Sequence, residues 1–228
     1  MASSKKVGAV IVAAGKSQRM GGVDKVLALL GGKPVLVRVI DAFQKCRSID
    51  QIVVVLRKQN LAEVRRLILK EGWSKKIDLC FGGRRRQDSV LAGLDRLDDC
   101  DWVVIHDGAR PLVTAGLINR GLKEAVETGA AVAAVPVTDT IKVIGTDGLV
   151  RHTPSRDNLW VVQTPQVFEY EMITEAYRRA KGEVTDDASL VEQSGYRVRL
   201  YMGSYDNIKI TSPDDLVVAE ALLQKRGK

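Results

Sequence analysis

The chain has 228 residues, a length typical of one large domain. Hydrophobic residues make up 45% of it and charged residues 28%, a balance that predicts a globular protein with a sizeable core and excludes a disordered one. Aromatic residues are only 5%, which disfavours the stacking platforms that bind single-stranded nucleic acid. The net charge of +7 fits either a surface that attracts phosphate-bearing ligands or a solvated basic surface without a function, so the positions of the cations decide.

The cysteine pattern predicts a protein of the reducing cytoplasm. Cys46, Cys80 and Cys100 form no CxxC motif, and the chain has only two histidines, which disfavours a disulfide framework or a structural zinc site. The apolar run at residues 7–15 is short and leads directly into charged residues, so we interpret it as a buried strand and not as a signal peptide. No apolar segment approaches the length of a membrane span.

Short runs rich in valine and isoleucine alternate with longer segments of helical period. We predict strands at Val7–Val12, Gln51–Leu56, Ile77–Phe81, Trp102–Ile105 and Ala130–Val135. We predict helices at Val35–Cys46, Leu61–Lys70, Asp88–Leu97 and Leu117–Thr128. Strands that are apolar on both faces and separated by helices indicate a parallel sheet covered on both sides.

The alternation breaks after Pro136. Apolar residues flank the turn-forming segment Gly145-Thr146-Asp147-Gly148, which predicts a β-hairpin. Two further helices are expected, at Glu169–Lys181 and Pro213–Gln224. The chain therefore predicts an α/β fold: a single Rossmann-like three-layer domain over residues 1–228 with a mostly parallel sheet, from which residues 137–160 protrude as a β-hairpin arm that covers a sheet edge or reaches a partner subunit.

The loop after the first strand combines small residues with positive charge. Ala13-Ala14-Gly15 allows a ligand close to the backbone, and Lys16, Arg19 and Lys25 place cations beside it, which suits a triphosphate. A Walker A motif is excluded because Val10 stands where it needs glycine, and GxGxxG cannot be placed. The alternative is an ordinary strand-to-helix loop with solvated lysines.

A second basic loop runs from Gly82-Gly83 through Arg84-Arg85-Arg86 into a predicted helix, with Asp88 or Ser89 as the expected N-cap. Its glycines allow close backbone approach, so it is a candidate to hold the base and ribose of a nucleotide. The alternative is a basic surface turn or a nucleic-acid patch.

Two later positions carry candidate phosphate ligands. Asp107, at the end of the fourth strand, is suited to Mg²⁺ beside phosphates, and Arg110 to a two-pronged phosphate contact, although a surface Asp–Arg pair is an equal alternative. Lys209 lies between Ile208 and Ile210, so its side chain should point away from theirs and is a candidate for an acceptor phosphate; the alternative is an exposed edge lysine. The segment at residues 185–189 is typical of a helix cap with acidic residues in the first turn.

Together and in this order, these blocks resemble a known family. They are Ala13-Ala14-Gly15 with Arg19-Met20, Asp88-Ser89-Val90, His106-Asp107, Ala109-Arg110-Pro111, Asp139-Thr140-Ile141-Lys142, Gln163-Thr164-Pro165-Gln166, Thr185-Asp186-Asp187-Ala188-Ser189 and Asn207-Ile208-Lys209. Over nearly its whole length the chain resembles the 2-C-methyl-D-erythritol 4-phosphate cytidylyltransferases of the non-mevalonate isoprenoid pathway. The resemblance implies transfer of CMP from CTP to 2-C-methyl-D-erythritol 4-phosphate, which gives 4-diphosphocytidyl-2-C-methyl-D-erythritol and pyrophosphate.

The resemblance also implies a role for individual residues. Arg19 and Lys25 would stabilise the pentavalent transition state, and Arg156 and Lys209 would position the sugar phosphate. Residues near the cytidine would be Ala13, Ala14, Gly15, Gly83, Arg86 and Ser89. Residues at the acceptor would be Asp107, which also sits by Mg²⁺, with Arg110, Thr140, Thr164 and Thr185. In the family the arm forms a homodimer, so Thr140 and Arg156 would serve the neighbouring subunit's site.

Two departures from the family pattern bear on these roles. The family lysine usually stands in a Pro-Lys-Gln setting, whereas Lys25 follows Val23-Asp24, and Lys16 is the fallback. Arg84 occupies a position that is often acidic in relatives. An ionised phosphate nucleophile needs no strong general base, so the scarcity of histidine is compatible with this reaction.

Three other functions are distinguishable from this one. A ribitol 5-phosphate cytidylyltransferase would share the same blocks and differ in its acceptor. A P-loop-type switch would hydrolyse ATP or GTP without any acceptor. A basic nucleic-acid-binding module would bind DNA or RNA in a salt-sensitive way that CTP does not affect.

Overall fold

The computed structural model describes residues 5–17, 19–21, 24–180 and 182–226. The strands are β1 (Val7–Ala13), β2 (Leu29–Leu30), β3 (Lys33–Pro34), β4 (Gln51–Leu56), β5 (Ile77–Phe81), β6 (Trp102–Asp107), β7 (Ala130–Pro136), β8 (Val143–Ile144), β9 (Val150–His152), β10 (Trp160–Glu169) and β11 (Arg199–Met202). The helices are α1 (Val35–Lys45), α2 (Leu61–Glu71), α3 (Arg86–Leu94), α4 (Ala115–Thr128), α5 (Tyr170–Arg179), α6 (Asp187–Gln193) and α7 (Pro213–Arg226).

Seven strands form one sheet in the order β11-β7-β10-β6-β1-β4-β5. β1 pairs in parallel with β4 and β6, β4 with β5, and β7 with β11. β10 is antiparallel to both of its neighbours, β6 and β7. The predicted α/β fold with a mostly parallel sheet is therefore confirmed. Because β1, β4 and β6 run in the same direction, the loops that leave them gather at one edge of the sheet.

Helices cover both faces of this sheet. Apolar side chains of α1, α2 and α4 pack on one face with alternate residues of β1, such as Ala9 and Ile11. Those of α3, α5 and α6 pack on the opposite face with Val10. α7 packs separately with the β2–β3 hairpin around Leu30 and Ile210. β1, β4 and β6 are almost entirely buried and thus form a rigid support for the loops at their carboxyl ends.

Three differences from the sequence predictions concern this edge. β6 extends to Asp107, so this carboxylate belongs to the strand itself. The predicted N-cap of α3 is wrong: the helix begins at Arg86 after Arg85, and Asp88 lies within the first turn, where its carboxylate accepts the Arg85 backbone N–H at 3.0 Å. β10 and β11 were not predicted at all.

The segment after β7 contains the predicted hairpin. β8 and β9 pair antiparallel, with Val143 opposite His152, and form a sheet separate from the main one. Their side chains are exposed, including Ile144 and Val150. In the described ranges no helix combines the length and apolarity that a bilayer crossing requires.

Candidate active site

Two adjacent cavities lie at the carboxyl ends of the strands. The first has a volume of about 440 Å³, within the range of small-molecule sites. It is lined by the loops that follow β1, β4 and β5 and by the end of β6. Predicted site residues on its wall are Ala13, Ala14, Gly15, Lys25, Gly83, Arg86, Ser89, Asp107 and Lys209, with Lys16 as well.

Backbone and small side chains shape this first cavity. A Cβ on Gly82 would lie 2.7 Å from the Ser89 Oγ and closer still to the Ala14 Cβ, so only glycine fits there. The Ser89 hydroxyl accepts the Gly83 backbone N–H at 3.1 Å and donates to the Arg85 carbonyl at 3.1 Å. The glycine loop is therefore fixed to the first turn of α3, which allows a flat ligand to approach the backbone closely.

The second cavity, of about 430 Å³, is formed mainly by side chains of β10 and α6. Predicted acceptor residues on its wall are Asp107, Arg110, Thr164, Thr185 and Lys209. The ladder between β10 and β7 is interrupted between Val162 and Gln166, and Gln163 and Thr164 are buried there. This irregularity places polar side chains in the middle of an otherwise apolar strand.

Arg86, Asp107 and Lys209 line both cavities and therefore mark the boundary between them. The Asp107 carboxylate lies 2.8 Å from the Lys209 Nζ and 3.5 Å from nitrogens of both Arg86 and Arg110. Burial alone would raise the pKa of Asp107, but Arg86, Lys209 and Arg110 outweigh it and hold this pKa well below its usual range. The Asp107–Arg110 pair is thus buried, and the surface-pair alternative is wrong.

His106 fixes the backbone beside Asp107. Its Nε2 lies 3.2 Å from the Arg110 carbonyl and must donate to it, so its Nδ1 accepts the Thr164 hydroxyl at 3.0 Å. The Thr164 oxygen in turn accepts the Asp107 N–H at 3.0 Å. Burial lowers the pKa of His106 to about 4, so the ring is neutral at pH 7 and this chain of hydrogen bonds is complete. Thr164 therefore holds the end of β6 in place.

The segment that carries Lys25 is fixed by hydrogen bonds that the sequence did not reveal. The Asp24 carboxylate accepts hydrogen bonds from Arg57 and, at 2.6 Å, from the Asn60 amide, while the Lys25 backbone N–H donates to the Ser17 hydroxyl at 3.3 Å. Burial lowers the pKa of Lys25, as do the charges of Lys209 and Arg19. Lys25 is thus a half-buried cation on the wall of the first cavity, whereas Lys16 is exposed on the same wall.

The arginine run is largely paired within the protein. Arg85 binds Asp88, and Arg86 makes a two-pronged contact with the buried Asp187 at 2.8 and 2.9 Å. Two of the three guanidinium groups are therefore neutralised by nearby carboxylates. This pairing disfavours an open basic patch for nucleic acid, in which phosphates rather than protein carboxylates would balance the arginines.

Three predicted residues do not line either cavity of this single chain. Arg19 is exposed in the turn after β1 and does not appear on either wall. Thr140 and Arg156 are exposed on the arm, where the Arg156 guanidinium donates to the Thr138 carbonyl at 2.6 Å. The role of Thr140 and Arg156 in a partner subunit's site stays a prediction.

Several polar residues that build the site were given no site role from the sequence, namely Asp24, Arg57, Gln163, Gln166, Asp186 and Asp187. Asp186 accepts both the Ser189 backbone N–H at 3.1 Å and the Gln166 amide at 2.8 Å, so the predicted helix cap is confirmed and also ties α6 to β10. A usable signal was the block of polar residues at 163–166 inside a run of valines, because such residues need partners when buried.

The possible metal ligands of the site fit a divalent cation that binds together with a substrate. Among the residues that the structure describes, no group of three or more His, Cys, Asp or Glu side chains is arranged to hold a metal. Asp107 is a single carboxylate at the boundary, and Mg²⁺ commonly takes one or two carboxylates plus substrate phosphate oxygens. The site therefore suits Mg²⁺ shared with a triphosphate and does not suit a resident metal.

A mostly parallel sheet is covered on both faces, and a glycine-lined basic cavity at its strand ends adjoins a second cavity with cations of its own. Two such sites side by side suit an enzyme that transfers part of a nucleotide to a second substrate. Comparison with known proteins narrows the class. Residues 7–225 match the family model described as 2-C-methyl-D-erythritol 4-phosphate cytidylyltransferase. The chain therefore belongs to this family and is a cytidylyltransferase.

Relatives of this name share about half of the sequence over its full length. The protein from Dehalococcoides mccartyi is 52% identical over 222 residues, which cover 97% of this chain and 98% of that protein. The protein from Caldanaerobacter subterraneus subsp. tengcongensis is 47% identical over 225 residues, covering 96% and 99%.

Solved structures share the fold. The 4-diphosphocytidyl-2C-methyl-D-erythritol synthase of Anaerococcus prevotii superposes with a TM-score of 0.88 at 32% identity and covers 97% of both chains. The 2-C-methyl-D-erythritol 4-phosphate cytidylyltransferase of Thermus thermophilus gives a TM-score of 0.77 at 34% identity, covering 96% of this chain and 99% of that one.

Proposed function

We propose that the protein transfers CMP from CTP to 2-C-methyl-D-erythritol 4-phosphate, forming 4-diphosphocytidyl-2-C-methyl-D-erythritol and pyrophosphate for isoprenoid precursor synthesis. The observation that carries this proposal is the pair of cavities that meet at Arg86, Asp107 and Lys209. A transfer reaction needs two substrates whose reacting phosphates touch, and a boundary with two cations suits that meeting point. The names of the relatives supply the identities of the substrates.

In this proposal CTP occupies the first cavity and the sugar phosphate the second. The glycine loop at Gly82-Gly83 and the segment at Ala13-Ala14 lie along the cytidine, with Gly15, Arg86 and Ser89 nearby. An ionised oxygen of the acceptor phosphate attacks the α-phosphorus in line, the new P–O bond forms, and the bond to the pyrophosphate breaks. No covalent enzyme intermediate and no proton transfer are needed.

The cations take separate parts in the reaction. Lys25 and Arg19 stabilise the negative charge that builds up on the transferring phosphoryl group. Lys209 and Arg110 hold the acceptor phosphate, with Thr185 at the far wall of the same cavity. An incoming phosphate competes with Asp107 for Lys209, and this exchange frees a carboxylate oxygen at the boundary.

The proposal includes Mg²⁺, which would bind together with CTP and beside the carboxylate of Asp107. When bound, the ion would neutralise triphosphate charge and favour departure of pyrophosphate. Removal of divalent cations with a chelator should abolish turnover, and excess Mg²⁺ should restore it. Turnover that persists in the chelator would contradict this assignment.

The proposal includes a homodimer formed through the arm of residues 137–160, with Thr140 and Arg156 at the neighbouring subunit's site. The exposed apolar residues of the arm, such as Ile144 and Val150, support it. Mixing the variants Lys25→Ala and Arg156→Ala tests it at an acceptor concentration far below the raised KM of Arg156→Ala, where each variant alone should turn over slowly, because a mixed dimer regains one complete site. Random reassociation should restore about a quarter of wild-type turnover. No recovery under conditions that exchange subunits would contradict the shared site.

Pyrophosphate release with CTP and each acceptor in turn tests the function. We expect much the higher kcat/KM with 2-C-methyl-D-erythritol 4-phosphate, and preference for ribitol 5-phosphate would replace our proposal by the alternative cytidylyltransferase. Hydrolysis of ATP or GTP without an acceptor would instead support the P-loop-type switch.

We also assign the protein to the cytoplasm, a proposal that its three free thiols support.

A further inference from the structure

Arg86 is placed differently from a residue that only contacts cytidine. Arg86 lines both cavities, at their boundary with Asp107 and Lys209. Its Nη1 and Nη2 each donate to one oxygen of Asp187, at 2.9 and 2.8 Å, and its Nε lies 3.5 Å from Asp107. One N–H on each terminal nitrogen is left for a further acceptor.

Asp187 is built into the protein as a fixed partner for this guanidinium. It is fully buried at the start of α6, and its Oδ1 also accepts the Tyr177 hydroxyl of α5 at 2.5 Å. Asp187 and Arg86 are 101 residues apart in sequence, so their contact joins α6 to α3 across the site. Burial would lower the pKa of Arg86, but Asp187 and Asp107 outweigh it and raise this pKa further, so the guanidinium stays charged.

Asp187 and Asp107 both attract the Arg86 guanidinium, and the difference between the two contacts indicates the role of Asp187. A two-pronged contact with a buried carboxylate is stronger and more directional than a single contact at 3.5 Å. Without Asp187, the nearest anion to Arg86 is Asp107, which already pairs with Lys209 and Arg110. Arg86 would then turn toward Asp107 and disturb the cations that face the two substrates.

We propose that Asp187 is a positioning residue for the transfer reaction: it holds the Arg86 guanidinium at the boundary of the two cavities, where the free N–H groups of Arg86 meet the reacting phosphates. This assignment rests on the proposed function, because it places the α-phosphate of CTP and the acceptor phosphate at that boundary. Arg86 is then a phosphate ligand and not only a neighbour of cytidine.

The first test measures kcat and the two KM values of Asp187→Asn by pyrophosphate release with CTP and 2-C-methyl-D-erythritol 4-phosphate. Loss of the directing carboxylate should lower kcat at least tenfold, with a change in the KM for CTP of less than about threefold, since a charge-assisted contact made in the transition state is lost. Tyr177→Phe is the matched control: it removes a hydrogen bond from the same buried carboxylate but keeps the two-pronged contact, so kcat should stay within about twofold of wild type.

A double-mutant cycle separates positioning from a purely structural role. If Asp187 acts through Arg86, adding Asp187→Asn to Arg86→Gln should not reduce kcat further. Two independent, multiplying losses, or a lower melting temperature with wild-type kcat in Asp187→Asn, would overturn the proposal.

The variant Arg86→Lys tests the same proposal if Asp187→Asn does not fold. It keeps the positive charge and the Asp187–Tyr177 contact but loses the two-pronged geometry, so kcat should fall by a similar factor. Wild-type kcat in Arg86→Lys would overturn the proposal. A wild-type enzyme without turnover on these substrates would instead refute the proposed function, so the two failures are distinguishable.

Discussion

The two cavities that meet at Asp107 are lined by different kinds of groups. The first is shaped by backbone and by residues with little or no side chain, such as Ala14 and Gly82. The second is lined by hydrogen-bonding side chains, such as Gln163 and Thr164, and by the cations around Asp107. Cations such as Lys25 also line the first cavity. The difference suggests that the first cavity selects its ligand by shape together with charge, whereas the second adds selection by hydrogen-bonding side chains.

The largest expected effect should come from the two cations that we propose to act on the transferring phosphoryl group. Lys25→Ala and Arg19→Ala should lower kcat by about 10²–10³-fold, because each removes a cation that acts on charge present only in the transition state. CTP should still bind in calorimetry. Lys70→Ala, an exposed lysine of α2, is the control of equal charge change. Normal turnover in Lys25→Ala would move the role to Lys16.

The next effect should be confined to use of the acceptor. Lys209→Ala and Arg156→Ala should raise the KM for the acceptor by about 10–100-fold, the range of a lost charge-assisted hydrogen bond, and leave the KM for CTP nearly unchanged. Lys225→Ala at the end of α7 is the control. An equal rise in both KM values would show that the cavities do not divide the substrates in this way.

A single methyl group should damage the backbone-built cavity. Gly82→Ala would place a Cβ against Ser89 and Ala14, and such overpacking costs about 1–3 kcal/mol of stability and displaces the loop. We expect a lower free energy of unfolding and a higher KM for CTP. Gly15→Ala is the matched control, since no atom lies within 4 Å of its added Cβ and its free energy of unfolding should not change. Wild-type values for Gly82→Ala would refute selection by shape.

The smallest effect should come from a hydrogen bond that only supports the same loop. Ser89→Ala removes the contacts to Gly83 and Arg85, which are worth about 1 kcal/mol, so the KM for CTP should rise a few-fold with kcat maintained. Ser89→Thr keeps the hydroxyl and serves as the comparison. A loss of kcat comparable to that of Lys25→Ala would show that Ser89 contacts the reacting phosphates directly.

The sequence predicted one half of the sheet better than the other. β1, β4 and β6 were predicted because strands buried on both faces are continuous apolar runs bounded by helices. β10 was missed because Gln163, Thr164 and Pro165 interrupt its apolar pattern, and proline and buried polar residues are not typical of a central strand. Its polar residues are satisfied by partners far away in the chain, for example Gln163 by the Ser204 carbonyl.

By itself, the sequence determined the α/β fold, the loops at the carboxyl ends of the strands and the residue types that suit a triphosphate, because these follow from local periodicity and composition. Only the tertiary structure decided which charges face each other. Asp107 is balanced by residues at 86, 110 and 209, and Arg86 is held by Asp187. Such pairings depend on distances in space between segments up to about a hundred residues apart, which no local pattern encodes.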